Sequence, residues 1–164
     1  MKLKIGDVFE IAIDENRDGF GQIVALPNES TLLISIFERV KLKTETLSLD
    51  EICNSRILFL GFTLDAKLYH KHWRLIGNYN QNIGAVKIPY YRLGTPPDEI
   101  YIINYKEEVI RACSIEEFDK LKYITVIAPV RYEKALKAFY KVGEWSEDYD
   151  KLTYEPNNVV GFNI

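Results

Sequence analysis

Apolar and polar residues alternate from the start of the chain. Phe9, Ile11 and Ile13 share one parity and Val8, Glu10 and Ala12 the other, the period-two pattern of a half-buried strand. The polar stretch DENRDG then predicts a reversal, with Asp18-Gly19 closing a turn and Gly21 allowing a bulge or bend in a second strand, FGQIVAL. A breaker, PNES, separates this from a third apolar run, TLLISIF. Three short strands joined in this way must bury one face, and an SH3-like barrel or a curled sheet does so economically.

Beyond the meander the period changes repeatedly. Ser48 and Glu51 have capping-box spacing, and Leu47 with Ile52 has that of a hydrophobic staple, so a short helix is predicted there. RILFLGF reads as a buried strand, Leu64 to Tyr69 as one or two helical turns, and HWRLIGN as a strand ending in a Gly-Asn turn. From Asn78 to Asp98 the chain is rich in Asn, Gly and Pro, which predicts an irregular excursion around a short strand at Ala85 to Ile88. EIYIINY and EVIRAC read as strands, Ser114 to Glu117 as a second capping box opening a helix through about Leu121, and YITVIAPV as a last strand. Tyr132, Leu136, Phe139 and Tyr140 recur at helical spacing, and Glu133 stands four residues before Lys137, predicting an amphipathic helix from Arg131 to about Val142. No internal repeat or low-complexity linker interrupts the chain. The expectation is one α+β domain over 1–164: an N-terminal antiparallel β meander, further strands, short helices, a C-terminal amphipathic helix, and an acidic, aromatic segment at 144–164.

Composition narrows the function classes. In 164 residues, 47% are hydrophobic and 27% charged, the balance of a folded globular chain. Eleven Tyr, eight Phe and two Trp favour β structure and suit a surface that grips a partner. The net charge of −3 argues against a nucleic-acid partner, and it is unevenly spread. Between Glu144 and Pro156 five acids face one base, so that segment carries −4 and the rest of the chain about +1. No apolar run approaches the roughly 20 residues that a membrane span requires, and MKLKIGDVFE lacks the apolar stretch of a signal peptide, so a cytoplasmic protein with no membrane partner is expected. Cys53 and Cys113 stand alone and read as reduced, partly buried thiols.

Catalytic motifs do not emerge. The glycines of RDGFGQIV invite a phosphate-loop reading, but a breaker cluster rather than a helix comes after them, with no P-loop Lys. His70 and His72 alternate as two ligands would, yet no third ligand accompanies them. There is no G-x-S-x-G elbow, and the paired acids Asp14/Glu15, Glu107/Glu108 and Glu116/Glu117 stand where turns and helix starts favour negative charge. The reading is a non-enzyme with no catalytic residues, no cofactor and no metal. Two stretches combine aromatics with charge as interface anchors do: Tyr90-Tyr91-Arg92, and Trp145 with Tyr149 among Glu147, Asp148 and Asp150.

Taken in order, GDVFEIAI, DGFGQIV, FLGF, WRLIGN and IPYYRLG resemble the immunity protein 26 family of bacterial polymorphic toxin systems, over roughly Ile5 to Tyr105. The departures are Ala12, where the family's pattern often has proline, and a longer first turn. The resemblance implies a protein that binds and neutralises a cognate toxin domain, and it transfers no catalytic residues. A basic nuclease is one toxin that an acidic patch would suit. The residues expected to touch the toxin are Trp145, Glu147, Asp148, Tyr149, Asp150, Tyr90 and Arg92. Two other readings stay open: a small nucleic-acid-binding β-barrel using Lys2, Lys4, Lys41 and Lys43, and a small enzyme with a dispersed site. The sequence leaves the oligomeric state open.

Overall fold

The alternation at the N-terminus folds as strand β1 (Asp7–Ala12), in a computed structural model that describes residues 2–156. The last eight positions of the expected acidic segment, 157–164, lie outside the described residues. Strands β2 (Arg17–Ala25), β3 (Thr31–Phe37), β4 (Lys41–Leu42), β5 (Ile57–Leu64) and β6 (Arg74–Asn78) join β1 in one sheet. Its order is β5-β3-β2-β1-β6, with β4 on the start of β2 and every pairing antiparallel. No ladder joins β5 to β6 among the described residues, so the meander is an open sheet rather than a closed barrel.

The first reversal comes earlier than Asp18-Gly19. Asp14 accepts the backbone N–H groups of Asn16 and Arg17 at 2.9 and 2.8 Å, and the Arg17 guanidinium donates to its second oxygen. A carboxylate that caps its own turn in this way fixes the reversal at Asp14. Asp18 and Gly19 therefore pair inside the ladder, opposite Ala12 and Ile11. Gly21 stands opposite Phe9, where a Cβ would sit 2.5 Å from the Phe9 ring. Its role is to admit that ring, and the break in register comes later, between Ile23 and Ala25.

The two parities of β1 feed two cores. Phe9 and Ile11 join Ile23, Ile34, Ile36 and Trp73 in the larger one, where Phe9 stacks on Trp73 at 5.0 Å. Val8 joins Phe20, Phe37 and Ile52 in the smaller one. The smaller core is closed by α1 (Leu49–Cys53), whose capping box forms in both directions: Glu51 N–H donates to Ser48 Oγ, and Ser48 N–H to Glu51 Oε2. Leu47 packs on the same cluster as Ile52, as the staple requires. One helical turn, α2 (Ala66–Tyr69), comes after β5.

Contacts divide the described residues into two units, one of 2–85 and 126–154 and the other of 86–125 with 155–156. In the second, β7 (Tyr91–Leu93), β8 (Tyr101–Ile103) and β9 (Val109–Ala112) form an antiparallel sheet in that order. The strand expected at Ala85 to Ile88 is absent: a 3₁₀ turn occupies Ile83–Ala85, and Pro89, which has no N–H for a ladder, precedes β7. Helix α3 (Ile115–Lys120) starts at the predicted capping box of Ser114 and Glu117.

YITVIAPV is not a strand. Only Val126 bridges Phe62, and Pro129 is the first residue of α4 (Pro129–Phe139) in the first unit. Proline's fixed φ suits a helix start and its missing N–H costs nothing there, so the apolar run ends as a helix entrance. Tyr132 and Leu136 of α4 are buried in the larger core, and the Tyr132 hydroxyl donates to the Phe62 carbonyl at 2.9 Å.

Candidate partner-binding site

Beyond Gly143 the chain wraps into a 3₁₀ turn, Glu147–Leu152, beside α4. Ser146 caps it by accepting the Asp148 N–H, and Leu152 anchors it in the larger core. Trp145 lies over Phe59 with centroids 6.1 Å apart, meets Tyr149 edge-on at 5.4 Å, and donates its Nε1–H to Asp150 at 2.9 Å. Asp148 pairs with Arg131 of α4 at 3.2 Å and more loosely with Lys151. Tyr149 is half-buried against the core, while Glu147, Asp148 and Asp150 are exposed. Trp145 stays 43% exposed although fixed on three sides. The result is a preordered aromatic face ringed by carboxylates.

In the second unit, the Arg92 guanidinium lies 4.6 Å from the Phe118 ring centroid and 4.4 Å from that of Tyr123, and donates to the Phe118 carbonyl. Arg92 is thereby committed to its own unit. Tyr91 is buried, and Tyr90 is half-exposed. Of the seven expected contact residues, the structure gathers the five between Trp145 and Asp150 in one turn of the first unit, and places Tyr90 and Arg92 in the other.

Two polar constructions of the first unit escaped the sequence reading. The first is a clasp at one end of the sheet. Gln22, wholly buried, exchanges two amide hydrogen bonds with Asn82 at 2.7 and 3.1 Å and donates to the Tyr79 carbonyl at 2.6 Å. Asn78 donates to Asp7 at 2.9 Å and to the Ile5 carbonyl, while Asp7 accepts the Lys4 N–H. Gly6, at φ +92°, carries the chain between these bonds; a side chain there would collide with Asn80. The second construction is a charge ladder across four strands, on the sheet face that Glu10 shares with Phe20. Arg74 pairs with Glu10, Glu10 with Lys41, Lys41 with Asp18 and Asp18 with Lys43, the last three at 3.6 Å.

The family model for Immunity protein 26 matches residues 4–93, more than half of the chain. The chain belongs to the Immunity protein 26 family. No curated protein and no solved structure matches it. The match ends with β7, so it spans the sheet, the clasp and the ladder, while the acidic turn lies outside it. The GDVF, DGFGQ and WRLIGN motifs of this Immunity protein 26 chain supply Asp7, Gln22 and Asn78, the clasp residues. These motifs serve the architecture, and the acidic aromatic surface lies C-terminal to all of them.

Burial pushes the Cys53 thiol up to about 12, far from a reactive thiolate, and also raises that of Cys113. Among the described residues no group of three or more His, Cys, Asp or Glu is placed to hold a metal, and no helix is long and apolar enough to cross a membrane.

Proposed function

We propose that this chain binds a cognate toxin domain in the cytoplasm of the cell that makes it and neutralises the toxin by covering its working surface, with no turnover of its own. The observation that carries this reading is the Immunity protein 26 match over residues 4–93. The turn from Trp145 to Asp150 supports its location. Trp145, already fixed by Phe59, Tyr149 and Asp150, loses little freedom when a partner covers it, and preorganised aromatic anchors of this kind dominate tight interfaces. The surrounding carboxylates Glu147, Asp148 and Asp150 suit a toxin whose substrate groove is basic, as a nuclease's is, by speeding encounter and occupying that groove. Tyr90 is the residue of the second unit's pair that a partner can reach, whereas the Arg92 guanidinium is held between rings.

The nucleic-acid reading loses ground here, because Lys41 and Lys43, half of its proposed basic stripe, are paired to Glu10 and Asp18. The test is co-expression with the toxin domain encoded beside this gene. Growth restored by this chain and lost on Trp145→Ala supports the proposal. Killing unaffected by this chain overturns it.

A further inference from the structure

Leu68 and Trp73 are buried, and between them Tyr69, His70, Lys71 and His72 all face water. Backbone bonds hold this turn in shape. Tyr69 and His70 donate their N–H groups to the Asp65 and Ala66 carbonyls, Lys71 bends the chain at φ +58°, and the Trp73 N–H returns to the Lys67 carbonyl at 2.9 Å. The rings run in a row: Tyr69, 66% exposed, meets His70 edge-on at 5.1 Å, and His70 lies 6.2 Å from His72. Beside them α4 adds charge. Its Glu133 is shared by Lys67 at 3.0 Å, Lys137 at 3.1 Å and the Trp73 Nε1–H at 3.3 Å. Lys71 and Lys134 are exposed and make no ion pair among the described residues. Four lysines therefore stand against two carboxylates, Glu133 and the half-buried Asp65, which leaves this face at +2 before either histidine is counted. The total of −3 hides it, because Glu144 to Pro156 alone carries −4.

We propose that the α2 turn and the adjoining face of α4 bind single-stranded nucleic acid, with bases stacked on Tyr69 and the histidine rings and phosphates held by Lys71 and Lys134. Cations alone suit any anion, and the exposed rings among them make the choice. A duplex keeps its base faces stacked inside, and an acidic polypeptide has no succession of flat rings to offer, whereas an unpaired strand presents bases and phosphates in alternation. The site lies apart from Lys41 and Lys43, whose charges are tied to Glu10 and Asp18. It is also independent of the neutralisation reading, since no toxin takes part in it.

The experiment follows the fluorescence anisotropy of labelled oligo(dT) and oligo(rU), over a range of salt, with the wild-type chain, with Tyr69→Ala and with Lys71→Gln/Lys134→Gln. All three positions are exposed, and thermal melting checks that each variant keeps the fold. The wild-type chain binds at least one of the two strands, and the two arms show whether the 2′-hydroxyl matters. Tyr69→Ala weakens that binding about tenfold and leaves its salt dependence unchanged. Lys71→Gln/Lys134→Gln weakens it and lowers the slope of log affinity against log salt by about 1.4. Absence of binding to either strand at low salt overturns the proposal, as does binding that either variant leaves unchanged. An unlabelled oligoglutamate of equal charge that displaces the strand as well as unlabelled oligonucleotide does also overturns it, since a site indifferent to bases is only a patch of positive charge.

Discussion

Arg92 and Trp145 sit in stretches that look alike on paper, each an aromatic set with charge, and the structure uses them in opposite ways. The Arg92 guanidinium faces two rings and the Phe118 carbonyl, so its charge and donors serve the fold of the second unit. Trp145 is fixed from beneath by Phe59 and at its edge by Tyr149 and Asp150, and keeps 43% of its surface in water. The difference lies in where the partners stand. Cation and rings come together from three segments in one case, while in the other a single short turn supplies ring, edge partner and acceptor and leaves the outer surface free. An interface anchor needs support without enclosure.

Three changes sharpen that contrast, from the largest effect to the smallest. Arg92→Ala removes two cation–π contacts and the packing of the stem, and should cost about 2 kcal/mol or more in denaturant unfolding, with toxin affinity changed only as far as stability is. A variant that kept full stability but lost binding would show Arg92 to be an anchor after all. Trp145→Ala should do the reverse, weakening toxin affinity by about 2 kcal/mol, roughly thirtyfold, with a smaller loss of stability. Calorimetric titration beside a melting curve separates the two effects.

The third change concerns charge spent inside the second unit. Hydrogen bonding from Arg111, and then from the Ser114 backbone, holds the Glu117 carboxyl down at about 2, below its ordinary value of 4.5. A depressed folded-state value means that this stabilisation is complete above about 4.5 and is lost as pH falls toward 2. Glu117→Gln should therefore flatten the acid limb of a stability-against-pH curve in that window and leave toxin binding at neutral pH unchanged. Because both side chains of the pair keep about a third of their surface in water, at 34% and 27%, solvent screening should keep the effect small. An acid limb identical to wild type would contradict the assignment.

Features written within a few residues were legible in the sequence. Both capping boxes formed at Ser48/Glu51 and Ser114/Glu117, the alternation of β1 divided its side chains between two cores, and α4 buried Tyr132 and Leu136. Local ambiguity caused the errors. Asp14 and Asp18 both look like turn residues, and only the hydrogen bonds to Asn16 and Arg17 select the first. The apolar composition of YITVIAPV suits a strand, but Pro129 opens a helix. The clasp and the ladder were illegible for another reason. Gln22 meets Tyr79 and Asn82 across 57 and 60 positions, and Glu10 meets Arg74 across 64, separations that no periodicity or spacing motif spans. In the candidate site the aromatic and acidic residue types were visible, whereas the support under Trp145 depends on Phe59, far away in the chain.

The most direct test of the central claim is the association rate of the purified toxin domain with the wild-type chain and with Asp148→Lys/Asp150→Lys, across a range of ionic strength. If the acidic turn meets a basic toxin surface, the double reversal should slow association by about tenfold at low salt and flatten its salt dependence. Identical rates and identical salt dependence for the two proteins would contradict it.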